Sequence, residues 1–382
     1  MVQIVVARAD TAASNRSGRT PFIPSAPLSS PSHTLAQYAR KTVSRGAMGV
    51  ALAPLVRWEK LRDPAPGYTL LIGCNRNLGG MLMANLLMLG RQRRENLREV
   101  ILVVDGSPGE VGMDIAARAA AAAPGLPVRV IHYNASQRRL SRMIDWGWVY
   151  AWMSWAIGIG ACTTRYAMLH DFDALLLDEN AVEARYAEIR RQRVEYLGIA
   201  YHTGGGVTAD DRLVRTFELM FDAAFMRDRF EPVALFNTMK TIGGRRVEFD
   251  TFLNAQHRAG KTGLLPIGED QMVHPSQMIC QYVDYRVGRG RVPANNNLPM
   301  IPYYEFIGGD PALLETLTPR IRENPDAVPL WGRTLDTTTN SAEHRAWMRK
   351  QAMRMEGVLR PAGPDPRVLA YFDAIDAAGA PR

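Results

Sequence analysis

Residues 166–177, YAMLHDFDALLL, decide how this chain is read: Asp171 and Asp173 stand between one short apolar run and another. A short apolar run bounded by polar residues reads as a buried strand, here ending at His170. Two neighbouring carboxylates at a strand end are costly without a cation. Each raises the pKa of the other, and burial penalises both charged forms. A divalent ion removes that cost, and oxygen ligands select Mg2+ or Mn2+, ions that also bridge diphosphates. In extended chain residues i and i+2 point the same way, so both carboxylates can face one ion. The plainer alternative is that one aspartate caps a turn and the other is solvated.

Working outward, residues 68–73 (YTLLIG), 99–104 (EVILVV) and 128–133 (VRVIHY) read as further buried strands. Helical patterns at 79–93, 110–123 and 136–159 lie between them. Strands alternating with helices at this spacing predict an α/β fold, a mostly parallel sheet with helices on both faces. In such sheets ligands bind outside the carboxyl ends of the strands. Asn75, Asp105 with Ser107, Asn134, and Asp171 with Asp173 fall at those ends and read as one site.

The chain has 382 residues, 47% hydrophobic and 22% charged, which excludes a disordered or collagen-like protein and supplies ample core. Cys74, Cys162 and Cys280 form no CxxC pair, which argues against a structural zinc or a disulfide framework. No apolar run of spanning length and no secretory leader is read, so the expected location is cytoplasmic. Net charge is +8, and residues 1–66 alone hold nine Lys or Arg against three acids. That basic leader reads either as a solvated tail or as a peripheral contact with anionic lipid at the inner membrane face. The near-neutral remainder carries no basic face interleaved with aromatics, so nucleic acid is not an expected partner. The organisation expected is a flexible Ser/Pro-rich segment (1–33), a basic helix and linker (34–66), a catalytic α/β domain (67–308) and a helical C-terminal extension (309–382).

Other features are less specific. Gly204-Gly205-Gly206 matches neither GxGxxG nor GxxxxGK[ST], and neither HExxH nor GxSxG occurs. Trp148, Trp152 and Trp155 share one face of the helix before HDFD and read as core rather than as sugar-stacking groups. Arg138, Arg139 and Arg142 open that helix, either reaching a diphosphate or forming a solvated edge. The loop carrying Arg286, Arg289 and Arg291 reads either as a closure over bound phosphate or as an ordinary connection.

In order, several of these stretches resemble the GT-A glycosyltransferases, most closely the family-2-like group. CNRN with ANLLMLGRQRRENLREVILVVDGSP resembles that family's first strand, helix and second strand, and HDFD stands at its DxD position. IGGRRVEFDTFLNAQHRAGKTGLLPI resembles its acceptor segment, and VHPSQ follows. The likeness covers roughly residues 68–285. It implies a GT-A (Rossmann-like) fold, a nucleotide-diphosphate sugar donor, Mn2+ or Mg2+, and inverting transfer to a hydroxyl of a glycan, lipid or small molecule. Asn75, Asp105 and Ser107 would contact the nucleoside. Asp171 and Asp173 would hold the metal on the diphosphate, with His274 a third ligand or a diphosphate contact. Inversion needs a general base near the acceptor. Aligned on Ala259-Gly260, the family's base position falls on Phe249, so Asp250 is the first choice and Glu248 the second, with Glu269-Asp270 a rival. Asp250 reads alternatively as the N-cap of a helix over 251–259. Two rival functions stand beside this one. A nucleotidyltransferase would need a glycine-rich basic first loop, which CNRNLGG matches poorly. A catalytically silent sugar-nucleotide or glycan-binding protein is favoured by Phe249.

Overall fold

The computed structural model describes residues 33–289 and 295–379. Residues 1–32 of the leader and Arg291 therefore lie outside the described residues. Helix α1 (Leu35–Leu52) opens on a capping box: the Thr34 side chain accepts from Gln37 N, and the Gln37 side chain accepts from Thr34 N. It occupies the first part of the stretch read as a basic helix and linker (34–66). A single 3-10 turn at Ala53–Leu55, with Pro54 inside it, ends the α-helix.

Next come β1 (Ala65–Cys74), α2 (Gly79–Gly90), β2 (Leu97–Val104), α3 (Pro108–Val111), α4 (Ile115–Ala122), β3 (Val128–His132), α5 (Ala135–Ile144), α6 (Gly147–Ala161) and β4 (Thr164–Leu169). All four strands expected from the sequence are present. Two expected helices are each broken in two. Gly112 at φ 71° separates α3 from α4, and Asp145 at φ 45° separates α5 from α6. Both residue types tolerate the left-handed region, and neither break carries an apolar signal.

The chain continues through β5 (Leu175–Leu176), α7 (Ala181–Gln192), β6 (Tyr196–Gly198), β7 (Met220–Asp222), α8 (Ala223–Arg229), β8 (Thr238–Ile242), β9 (Arg245–Phe249), α9 (Leu253–Arg258), β10 (Thr262–Leu264), β11 (Met272–Val273) and α10 (Met278–Val287). It closes with α11 (Met300–Ile307), α12 (Ala312–Glu323), the hairpin β12–β13 (Val328–Leu330, Arg333–Leu335), α13 (Ala342–Leu359) and α14 (Pro366–Ala378).

The central sheet has seven strands in the order β10-β6-β7-β4-β1-β2-β3, parallel throughout except that β7 runs antiparallel to both neighbours. Strand parity divides the interior. Leu70 and Ile72 of β1 join Val100 and Leu102 of β2 in one core, while Leu71 joins Ile101 and Val103 in the other. Successive side chains of a strand point to opposite faces, so a continuous apolar run requires helices on both sides. Here α2 and α11 cover one face, and α6 and α8 cover the other.

One buried carboxylate fastens the first of these layers. Glu305 of α11 accepts hydrogen bonds from Gly80 N (3.0 Å) and Met81 N (3.1 Å), two otherwise unpaired donors at the start of α2. A Cβ at Gly80 would stand 2.2 Å from Glu305 Oε2, so glycine is required there. Glu305→Ala orphans those donors and is expected to cost about 1–3 kcal/mol. A lower urea midpoint at unchanged m-value checks this. No helix among the described residues is long and apolar enough to cross a membrane.

Candidate functional site

A cavity of about 230 Å3 opens at the carboxyl edge of β1, β2 and β4. Asp171 and Asp173 enter it from the loop after β4. The geometry that turns them together differs from the extended chain expected. Ala174 N donates to Asp171 O (2.9 Å), so HDFD closes into a turn, and the turn brings both carboxylates round to one side.

His274 is delivered by strand pairing. The strand after the turn, β5, pairs antiparallel with β11, Met272 opposite Leu176 and Val273 opposite Leu175. The next residue, 274, therefore arrives beside the turn. His274 Nε2 lies 3.6 Å from Asp171 Oδ2 and 3.5 Å from Asp173 Oδ1, and its ring leans on Phe217 with centroids 4.7 Å apart. One ligand atom from each of Asp171, Asp173 and His274 falls within 4.8 Å of the others. Burial, and then the Asp173 charge, push the Asp171 carboxyl up to about 7. Burial lowers the pKa of the His274 imidazole, but the Asp173 and Asp171 carboxylates outweigh it and hold the group above its usual value. Two carboxylate oxygens and one imidazole nitrogen, with Asp173 and His274 buried and Asp171 half-buried, fit a divalent cation of the Mn2+ or Mg2+ kind.

A buried frame fixes the turn. Asn85 Nδ2, from the apolar helix α2, lies 3.2 Å from Asp171 O, 2.8 Å from Ala174 O and 3.0 Å from His170 Nε2. His170 Nδ1 is 2.7 Å from Glu218 Oε1, and Tyr304 OH donates to Asp173 O (3.0 Å). Asn85, Glu218 and Tyr304 were not singled out from the sequence. The signal for Asn85 was present, since it is one polar residue among nine apolar ones in MLMANLLMLG. Glu218 and Tyr304 come from distant segments, and no local pattern marks them.

At the other end of the cavity stand Asn75 and Asp105. Buried Asp105 accepts from Arg76 N (2.6 Å) and lies 3.3 Å from the Arg76 guanidinium. Burial raises its pKa, and Arg76 opposes the rise. Asn75 Oδ1 accepts from Asn77 N (3.0 Å), shaping the loop. Ser107 does not line the cavity. Its N–H and hydroxyl are spent on Glu110 Oε2 (2.7 and 2.8 Å) in the capping box of α3. Asn134 likewise caps α5.

Asp250 lines the cavity just past β9, and burial pushes its carboxyl up to about 6. It does not cap a helix over 251–259. Helix α9 starts later, at Leu253, after Phe252 in the left-handed region (φ 70°), and Asp250 Oδ1 accepts only from Thr251 N (2.7 Å). Glu248 is elsewhere. It accepts from Lys41 and Arg45 of α1, the latter at 2.8 Å, and does not reach the cavity. Phe249 is buried in a small core, and Glu269-Asp270 lie off the cavity wall. Gly243-Gly244 (φ 51° and 80°) form the two-residue turn joining β8 to β9, the conformation such hairpins favour. Gly204-Gly205-Gly206 is a tight turn, with Gly204 and Val207 exchanging backbone bonds.

The tryptophans divide. Trp152 is core, its Nε1 donating to Pro232 O (2.9 Å), whereas Trp148 and Trp155 wall the cavity, which the expectation of a shared core role had missed. Arg138 and Arg142 pair with Glu110, and Arg289 donates to Ile144 O (3.1 Å). Arg286 faces Asn75 and Arg76 across a small side pocket.

The fold and its site thus define a mixed α/β protein with a two-carboxylate, one-imidazole group at the carboxyl edge of its sheet. No protein-family model matches the chain, and no curated protein matches it. Among solved structures it is similar to S. aureus TarS 1–349 in complex with UDP, at 12% identity and a TM-score of 0.35 over 82% of this chain and 90% of that one. It is also similar to the mannosyltransferase PcManGT from Pyrobaculum calidifontis in complex with GDP-Man and Mn2+, at 10% identity and a TM-score of 0.33 over 90% and 95%. Likeness this faint assigns neither substrate nor metal, which must be read from the side chains themselves.

Proposed function

We propose that the protein is a metal-dependent glycosyltransferase of the hexosyltransferase kind, moving a sugar from a nucleotide-diphosphate donor to an acceptor hydroxyl with inversion. One observation carries the reading. The cation group, the Asn75–Asp105 edge and Asp250 all open into a single cavity.

Asp105 and Asn75 would hold the nucleoside end, and Asp171, Asp173 and His274 would hold the cation. A bound Mn2+ or Mg2+ supplies Lewis-acid stabilisation of the charge gathering on the leaving diphosphate. Asp250 accepts the proton of the acceptor hydroxyl as its oxygen bonds to the anomeric carbon. The carbon–phosphate-oxygen bond breaks on the opposite face, which inverts the centre. A carboxyl titrating near 6 is ionised at neutral pH yet basic enough to take that proton. Trp148, Trp155 and Phe217 make the acceptor side apolar, which disfavours water as a competing acceptor. The acceptor is a glycan, a lipid or a small molecule.

The test is a thermal-shift screen of nucleotide sugars with and without Mn2+, followed by product analysis. A true donor at a hundredfold excess over its Kd stabilises the fold by about 2.7 kcal/mol. The expected result is stabilisation that requires Mn2+, and free nucleoside diphosphate as product. Pyrophosphate release would establish nucleotidyl transfer instead. Metal-dependent binding with no turnover across an acceptor panel would leave a binding protein.

A further inference from the structure

Helix α1 turns an apolar arc to water. At roughly 100° per residue, Leu35, Ala39, Val43, Gly46, Ala47 and Val50 fall on one arc, and every one of them is exposed. The opposite side carries Lys41 and Arg45, turned inward onto Glu248, together with Tyr38, Met48 and the buried Leu52. A surface helix ordinarily keeps its water-facing side polar. Four large apolar side chains stand mostly in solvent among the described residues, and three of them are on this arc: Leu35 (67% exposed), Val43 (73%) and Val50 (78%).

An apolar face of this extent marks a contact. Its surroundings indicate with what. The first 66 residues carry nine basic groups to three acidic ones, most of the chain's net charge of +8. Arg40, at the edge of the arc, and Arg57 and Arg62 just beyond the helix are exposed and have no acidic partner among the described residues. An apolar strip with an exposed cation at its edge and two more in the segment that follows complements a plane of anionic headgroups over acyl chains.

We propose that α1 docks this protein on an anionic bilayer, lying in the interface with Leu35, Val43 and Val50 inserted and Arg40, Arg57 and Arg62 on the headgroups. The inward face of α1, behind the docked arc, adjoins the cavity. The Arg45 guanidinium stacks on Trp146 at 3.9 Å and lies 5.1 Å from the ring of Trp148, which lines the cavity wall. The attachment stands independently of the reaction proposed above.

Sedimentation of the full chain with vesicles tests it. Vesicles of equimolar phosphatidylcholine and phosphatidylglycerol carry the protein down, pure phosphatidylcholine carries far less, and salt weakens the binding. Val43→Glu with Val50→Glu lowers the partition coefficient about tenfold or more at unchanged Tm, and Val43→Leu with Val50→Leu raises it. Three results overturn the proposal. They are a full chain that stays in the supernatant with anionic vesicles, a glutamate variant that binds as well as the parent, and a concentration-dependent dimer that the glutamate variant dissolves.

Discussion

Asp171→Ala combined with Asp173→Ala abolishes Mn2+-dependent stabilisation by UDP or GDP and lowers turnover about a thousandfold or more, equivalent to about 4 kcal/mol of barrier. The pair supplies both oxygen ligands of the three-residue group, and His274 alone does not hold a hard cation. The unliganded variant behaves differently. The Asp171 carboxyl sits at about 7 in the fold, well above its ordinary value. The native state therefore binds more protons than the unfolded chain between about pH 4 and pH 7, and wild-type stability falls as pH rises through that window. In EDTA the double variant should gain on wild type more at about pH 8 than at about pH 5. Scanning calorimetry at both pH values, beside nucleotide titrations with and without Mn2+, checks both halves. Nucleotide binding indifferent to Mn2+ and to the two substitutions would remove the cation from the site.

Asp250→Asn should leave that metal-dependent binding intact and lower kcat by about a hundred- to ten-thousandfold. The contrast separates donor capture from acceptor activation. With Asp250 at about 6, wild-type kcat/KM rises through that pH as the carboxyl ionises and then levels. The asparagine variant has nothing to ionise there, so its residual rate loses that limb. Glu248→Gln is the internal control. It loosens the ion pairs to Lys41 and Arg45, and lowers stability while leaving kcat in place. An asparagine variant retaining both rate and limb would transfer the base to another group.

Four of the seven central strands were legible, because buried parallel strands are continuous apolar runs and each of these ended at polar residues. Aspartates at those ends were legible for the same reason. The helix breaks at Gly112 and Asp145 were not, since a single left-handed residue leaves the apolar pattern on either side undisturbed. Ser107 and Glu248 look like site residues because carboxylates and hydroxyls near strand ends are what a site is made of. Their fates depended on Glu110 and on α1, partners that spacing does not reveal. The approach of His274 to Asp173 was reachable only through a resemblance. The two-residue pairing of β5 with β11 is too short to announce itself in sequence.

The strand order β4-β1-β2 has a last consequence. Asp105 and Asp171 extend from strands on either side of β1, two interstrand spacings apart, a lateral separation of about 10 Å. Hydrogen-bonded backbone fixes that interval, and exchanging side chains cannot shorten it. The sheet is a ruler. Under the proposed reaction it suits a molecule whose two ends stand a nucleoside and a diphosphate apart, and a lone phosphate or a free nucleoside would touch one mark only.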